Sequence, residues 1–193
     1  MRKIAFIISL LCALPSFAAS MKDVKEATYY GIDYSHVKVS STETAEEFIN
    51  VFGSINDLIL QEQKKYVDQL AQTLKIKITD VDLAKQKEVI KAINTDSLMV
   101  SRVKVESSES YLGSILNNIE SKGNTYGILL VAKAYDKAAN SGYYDLVVFN
   151  AQTKEVIATQ ALEGKAGGFG LRNYWAKTAF TAAKSINVKK LKK

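Results

Sequence analysis

The 193-residue chain contains one proline, one cysteine, one histidine and one tryptophan. Pro15 and Cys12 both fall in the first 18 residues, so the rest of the chain must build its turns from Gly, Asn, Asp and Ser. That same stretch can form neither a disulfide nor a thiolate metal site. With His36 as the only imidazole, a catalytic zinc centre of the usual His/Cys kind cannot be assembled. No Gly-x-Ser-x-Gly elbow is present, no Gly-Lys-Ser/Thr opens a helix, and no GxGxxG follows a first strand. Charge of one sign is also sparse. Lys and Arg number 26 against 20 Asp and Glu, a net +6, which lacks the dense basic stripe of a nucleic-acid binder. None of the asparagines begins an Asn-x-Ser/Thr sequon, which favours a bacterial over a eukaryotic secretory route.

What is there is ordinary globular material, 47% hydrophobic and 24% charged. The N-terminus has the layout of a secretory signal peptide. Arg2 and Lys3 are followed by the apolar run Ile4 to Leu14, then by Pro15 and the small residues Ser16 and Ala18. A helix of that run reaches only about 16 Å, against a hydrocarbon core of about 30 Å, so it does not anchor the chain. Leu10 and Leu11 precede Cys12 where a lipidated cysteine would follow a small residue, so Cys12 leaves with the leader. Residues 1–18 are therefore read as a leader cut after Ala18. Residues 19–193 are read as one domain, periplasmic or secreted, cysteine-free and without a transmembrane segment.

Residues 27–39, rich in Tyr, Val and Ile, read as a first strand with a bulge at Gly31. Thr44 and Glu47 form a capping box, and apolar residues at helical spacing continue to Leu74 past the polar run Gln61–Lys65. That pattern fits two helices with a break or one long helix. A short strand at 76–78, a weak helix over 82–93 and a strand over 98–105 follow. A helix over 111–119 is expected to end at Gly123. Tyr126–Tyr135, Tyr143–Phe149 and Glu155–Leu162, joined by short polar connections, make a three-stranded antiparallel meander. A last helix spans about 170–187. The fold class is α+β: a mixed, mainly antiparallel sheet with a C-terminal meander and helices packed on it.

The most distinctive stretch is Gly164-Lys165-Ala166-Gly167-Gly168-Phe169-Gly170-Leu171-Arg172, immediately before that helix. Free amides at a helix N-terminus hold anions, and Lys165 and Arg172 add charge, so Lys165, Gly167, Gly168, Gly170 and Arg172 are candidate ligand contacts. The competing reading is architectural: glycines let the turn pass close to the sheet. Strand alternation puts His36 with Tyr34 and Asp33 on the opposite face, which suits a structural histidine. Asp80 and Asp82 read as helix-capping carboxylates. Most of the ten tyrosines read as core, with Tyr29, Tyr30 and Tyr34 as the exposed set. The Val188–Lys193 tail reads as solvated.

The stretch from Asn150 to Trp175, with GKAGGFGLRNYWAK, together with YGIDYSHVKV near the start, resembles a family of small exported proteins of Bacteroidetes-type bacteria. No activity is assigned to that family, so the resemblance implies no catalytic residue. In element order alone the chain is similar to envelope-assembly domains of the CsgG and TolB N-terminal type.

These readings converge on a non-enzymatic exported protein that binds an envelope partner through its surface and needs no cofactor. The alternative is a small-ligand protein holding a phosphate or carboxylate at the 164–172 loop. Expressed with its leader in a Gram-negative host, the protein recovered from the periplasm should begin at Ala19 by intact mass. Full-length chain retained in the cytoplasm would contradict the leader assignment.

Overall fold

The computed structural model describes residues 19–191. The leader, Cys12, Pro15 and the last two lysines lie outside them. Strand β1 (Glu26–Asp33) opens the sheet, and its middle carries the expected bulge. Gly31 takes φ +77°, and the register against the next neighbour slips between Tyr29 and Ile32. A Cβ there would lie 2.4 Å from Leu83 Cδ2 and force that side chain aside, on a backbone conformation that strains any residue but glycine. Past the bulge Ile32 is back in register with Leu130, and a side chain satisfies its own backbone groups. Ile32 N–H donates to Asn56 Oδ1 and Asn56 Nδ2 donates to Ile32 C=O, both at 3.0 Å and fully buried.

Asn56 lies on α1 (Ala45–Gln61), which begins at the expected capping box and buries Phe48, Phe52, Ile55 and Ile59. The box is worth about 0.5–2 kcal/mol. Helix α2 (Gln63–Leu74) follows after a break at Glu62, so the chain has two helices here. Next come β3 (Lys77–Val81) and α3 (Ala84–Lys91), where Asp82 Oδ1 accepts from Ala84 N at 3.0 Å as a cap. Asp80 lies within β3 and accepts from the amide of Val81.

The first strand is shorter than its sequence pattern. It ends at Asp33, and β2 (Lys38–Ser40) resumes along the same neighbour after four intervening residues. Asp33 Oδ1 accepts from both Ser35 N, at 2.9 Å, and Ser35 Oγ, at 2.5 Å. This turn lifts Ser35 and His36 out of the sheet. The expected strand over 98–105 is absent apart from one parallel bridge, Val39 to Met99. Beyond it Arg102, Lys104 and Glu106 are exposed, and the three-residue β2 offers too short an edge to continue on.

Helix α4 (Glu109–Asn117) stops before Gly123, whose φ of +79° serves the following loop. The meander β4 (Tyr126–Asp136), β5 (Ser141–Asn150) and β6 (Val156–Lys165) forms as expected, and α5 (Leu171–Ser185) closes the fold. The sheet order is β3-β1-β4-β5-β6, with β2 also on β4. Pairings among β1, β2, β3 and β4 are parallel, and the longer ladders of the meander are antiparallel. The class is α+β with a mixed sheet.

One face carries α1, α2 and α5 over a large core. The other carries α4 over a smaller one built on Tyr30, Leu129, Val131, Val147 and Phe149. Helix α5 lies down on a glycine pair, Gly142 opposite Gly164. A Cβ at Gly164 would fall 1.8 Å from the carbonyl oxygen of Thr178, so bare backbone on β6 is what lets the middle of α5 lie this close to the sheet. Tyr29, Tyr30 and Tyr34 are buried, against expectation. Tyr34 stacks on Phe52 at 4.2 Å and is linked through its hydroxyl to Tyr135, whose hydroxyl in turn meets that of Tyr144. A tyrosine with a hydroxyl partner can be core, which residue type alone does not reveal.

Asn56→Leu keeps the volume and strands two buried backbone groups, each costing about 1–3 kcal/mol. Urea denaturation should show a loss of about 2–6 kcal/mol. A loss under about 1 kcal/mol would mean that the bulge does not depend on Asn56.

Candidate functional site

Two places carry side chains that the core does not consume. The first is a crevice of about 110 Å³ at the end of β1, roofed by α3 and α4. The turn at Asp33–Ser35 builds it, and Asp33 and His36 both line it. This corrects the expectation that they face opposite ways: the strand stops at Asp33, so alternation no longer places His36. His36 is exposed and stacks on Tyr111 at 4.0 Å instead of serving as a strand histidine.

Asp33 is 2% exposed. Burial pushes its carboxyl above the usual range, opposed by the two bonds from Ser35 and by the positive potential of His36. Tyr111 is likewise raised, first by burial and then by the charges of Asp145 and Asp33. Across β4 from Asp33, Lys133 and Asp145 form an ion pair at 2.7 Å that is almost wholly enclosed. Asp145 Oδ2 also accepts from Ser108 N at 3.0 Å, tying the start of α4 to the sheet. This pair is structural, since removing either partner strands a buried charge at about 3–5 kcal/mol. A neighbouring hollow of about 280 Å³, lined by Val37, Val89, Ile93 and Leu98, shares Ser35 and Val89 with the crevice.

The second place is the glycine loop. Gly167, Gly168 and Gly170 all take positive φ, and Phe169 at the tip is 96% exposed. The backbone is pinned on both sides: Ala166 N donates to Asn140 C=O at 2.8 Å and Gly167 N to Tyr174 C=O at 3.1 Å. Helix α5 then starts at Gly170 with no side-chain cap. The residues singled out from the sequence do not all converge. Because Gly164 faces α5, alternation turns Lys165 to the opposite face, where Nζ bonds Glu163 at 2.5 Å and Ser141 Oγ at 2.8 Å. Arg172 lies exposed on the first turn of α5, with Nε on Asn173 Oδ1 at 3.1 Å. Gly167, Gly168 and Gly170 form the loop itself. The sequence does not single out Lys137, which sits 3.7 Å over the Tyr174 ring beside this loop.

Among the described residues, no group of three or more His, Cys, Asp or Glu is placed to hold a metal ion, and no helix is long and apolar enough to cross a membrane. No protein-family model matches the chain, and no curated protein matches it. Among solved structures it is similar to the LpoB C-terminal domain from Salmonella enterica, with a TM-score of 0.32 and 12% identity over 74% of this chain and 84% of that one.

Raised in the folded state, the Asp33 pKa makes a contribution to stability that is complete below about pH 4 and is lost as pH rises through the folded value. Asp33→Asn keeps an acceptor for Ser35 and removes the buried charge. Its melting temperature should exceed that of the native protein at pH 7, with the gap closing toward pH 4. A variant less stable at pH 7 and equal at pH 4 would reverse the sign.

Proposed function

We propose that the chain is an exported, non-enzymatic domain that binds an envelope partner through a surface centred on Phe169. The observation that carries this reading is the 96% exposure of that ring in a fold that buries nearly all its other large apolar side chains. Exposed aromatics on a well-held backbone are typical anchors of protein interfaces. The loop is held before binding by the bonds to Asn140 and Tyr174, which lowers the ordering cost of association. Around it stand Arg172, Lys177 and the Lys137–Tyr174 pair. A partner offering an apolar pocket with an acidic rim matches that chemistry. The leader sequence supports an envelope setting.

A second reading, a small phosphate or carboxylate at the same loop, draws on the uncapped start of α5 beside Arg172. It is weakened by Lys165, which faces away, and by Gly167, whose amide is already bonded.

A photo-reactive residue placed at position 169 in living cells should give one discrete adduct, reduced several-fold by Arg172→Glu with Lys177→Glu. No adduct above the yield at Val105, another exposed apolar position, would refute the surface.

A further inference from the structure

We propose that the crevice at the end of β1 is a binding site for a primary ammonium group, as carried by a small amine or by a lysine side chain. Apart from the His36 ring and the Gln86 amide nitrogen, the side-chain donors that line it are already used inside the protein, and acceptors of Asp33 and Gln86 are left. Ser35 Oγ donates to Asp33 Oδ1, Ser114 Oγ to the Tyr111 carbonyl at 2.7 Å, and Asn118 Nδ2 to the Ser114 carbonyl at 3.0 Å. The cation on the rim, Lys85, is paired with Glu88 at 2.9 Å.

Two buried acceptors remain. Both bonds from Ser35 fall on Oδ1 of Asp33, which leaves its Oδ2 to an occupant. Gln86, 1% exposed and lining the crevice, has an Oε1 with no hydrogen-bond partner among the described residues. A buried amide oxygen without a donor costs about 1–3 kcal/mol, so a group that supplies one is favoured there. An ammonium brings three donors and the positive charge that a desolvated carboxylate lacks. The volume, about 110 Å³, admits such a head group with a short stem. A multivalent metal ion is a poorer occupant, because it would take more than one carboxylate. The site is independent of the Phe169 surface, so the two stand or fall separately.

The test is a nuclear magnetic resonance titration of the full domain with methylammonium chloride, following the Ser35 backbone amide and the Gln86 side-chain amide. Tetramethylammonium chloride and potassium chloride at the same concentrations are the controls. Saturable shifts with methylammonium alone are expected, weakened about tenfold or more in Asp33→Asn. Gln86→Leu, read at Ser35, should weaken them in the same sense and covers the case in which the first variant repacks. Equal shifts with tetramethylammonium, which has the charge without N–H donors, or with potassium would overturn the proposal. So would unsaturated shifts throughout, or unchanged affinity in both variants. Ethanolamine and Nα-acetyl-lysine amide, titrated in parallel, distinguish a free amine from a presented lysine by which binds more tightly.

Discussion

A two-bond clamp between one side-chain amide and one residue of backbone sets the geometry on which the rest of the molecule turns. Asn56 gives Ile32 the donor and acceptor that its strand neighbours no longer supply, and does so from a helix on the far side of the core. Those two bonds satisfy the backbone beside the Gly31 bulge, since unpaired backbone groups are not left in a dry interior. Once the bulge is in place, the phase of β1 shifts. Asp33 then comes opposite Val131 and, one strand further, Asp145, on the face that α4 covers. The crevice and the stacked His36 and Tyr111 follow from that shift, whereas the Lys133–Asp145 pair sits at a separate slip in register between β4 and β5.

The two faces of the sheet are finished differently. Three helices seal one of them over a core of stacked aromatics, and the approach of α5 is set by bare backbone at Gly142 and Gly164. A single nine-residue helix covers part of the other, and its N-terminus is fastened by a charged group, Asp145. A short helix contributes little through its own propensity, so its position depends on packing and on that fastening. Among the described residues, the buried charged side chains, Asp33, Lys133 and Asp145, lie on this thinly covered face.

Much of the fold is legible in the sequence because the informative signals are local. The Thr44–Glu47 box, the three β-rich runs with their short polar connections and the bulging glycine each act within a few residues. The errors share a different character. Tyr29, Tyr30 and Tyr34 look amphipathic in isolation, and only the helices arriving from elsewhere bury them. The run 98–105 alternates suitably, but a strand needs a neighbour, and β2 gives it one bridge. Strand alternation misplaces His36 because the Asp33–Ser35 turn is specified by one side-chain oxygen, against a background of strand-forming residues. In the glycine loop the sequence marks the feature while hiding the direction of Lys165, which depends on which side Gly164 turns to α5. Gln86, central to the crevice, carries no signal at all in a weakly amphipathic helix.

The lone tryptophan gives the molecule a built-in optical probe. Trp175 lies parallel to Tyr135 at 4.6 Å, is fully enclosed, and its indole N–H has no partner among the described residues. Its indole is therefore shielded from water, and its emission reports on the seating of α5 against the meander and α1. Trp175 is absent from the walls of both hollows. Fluorescence thus separates unfolding of the large core from events on the α4 face, which a global probe would merge.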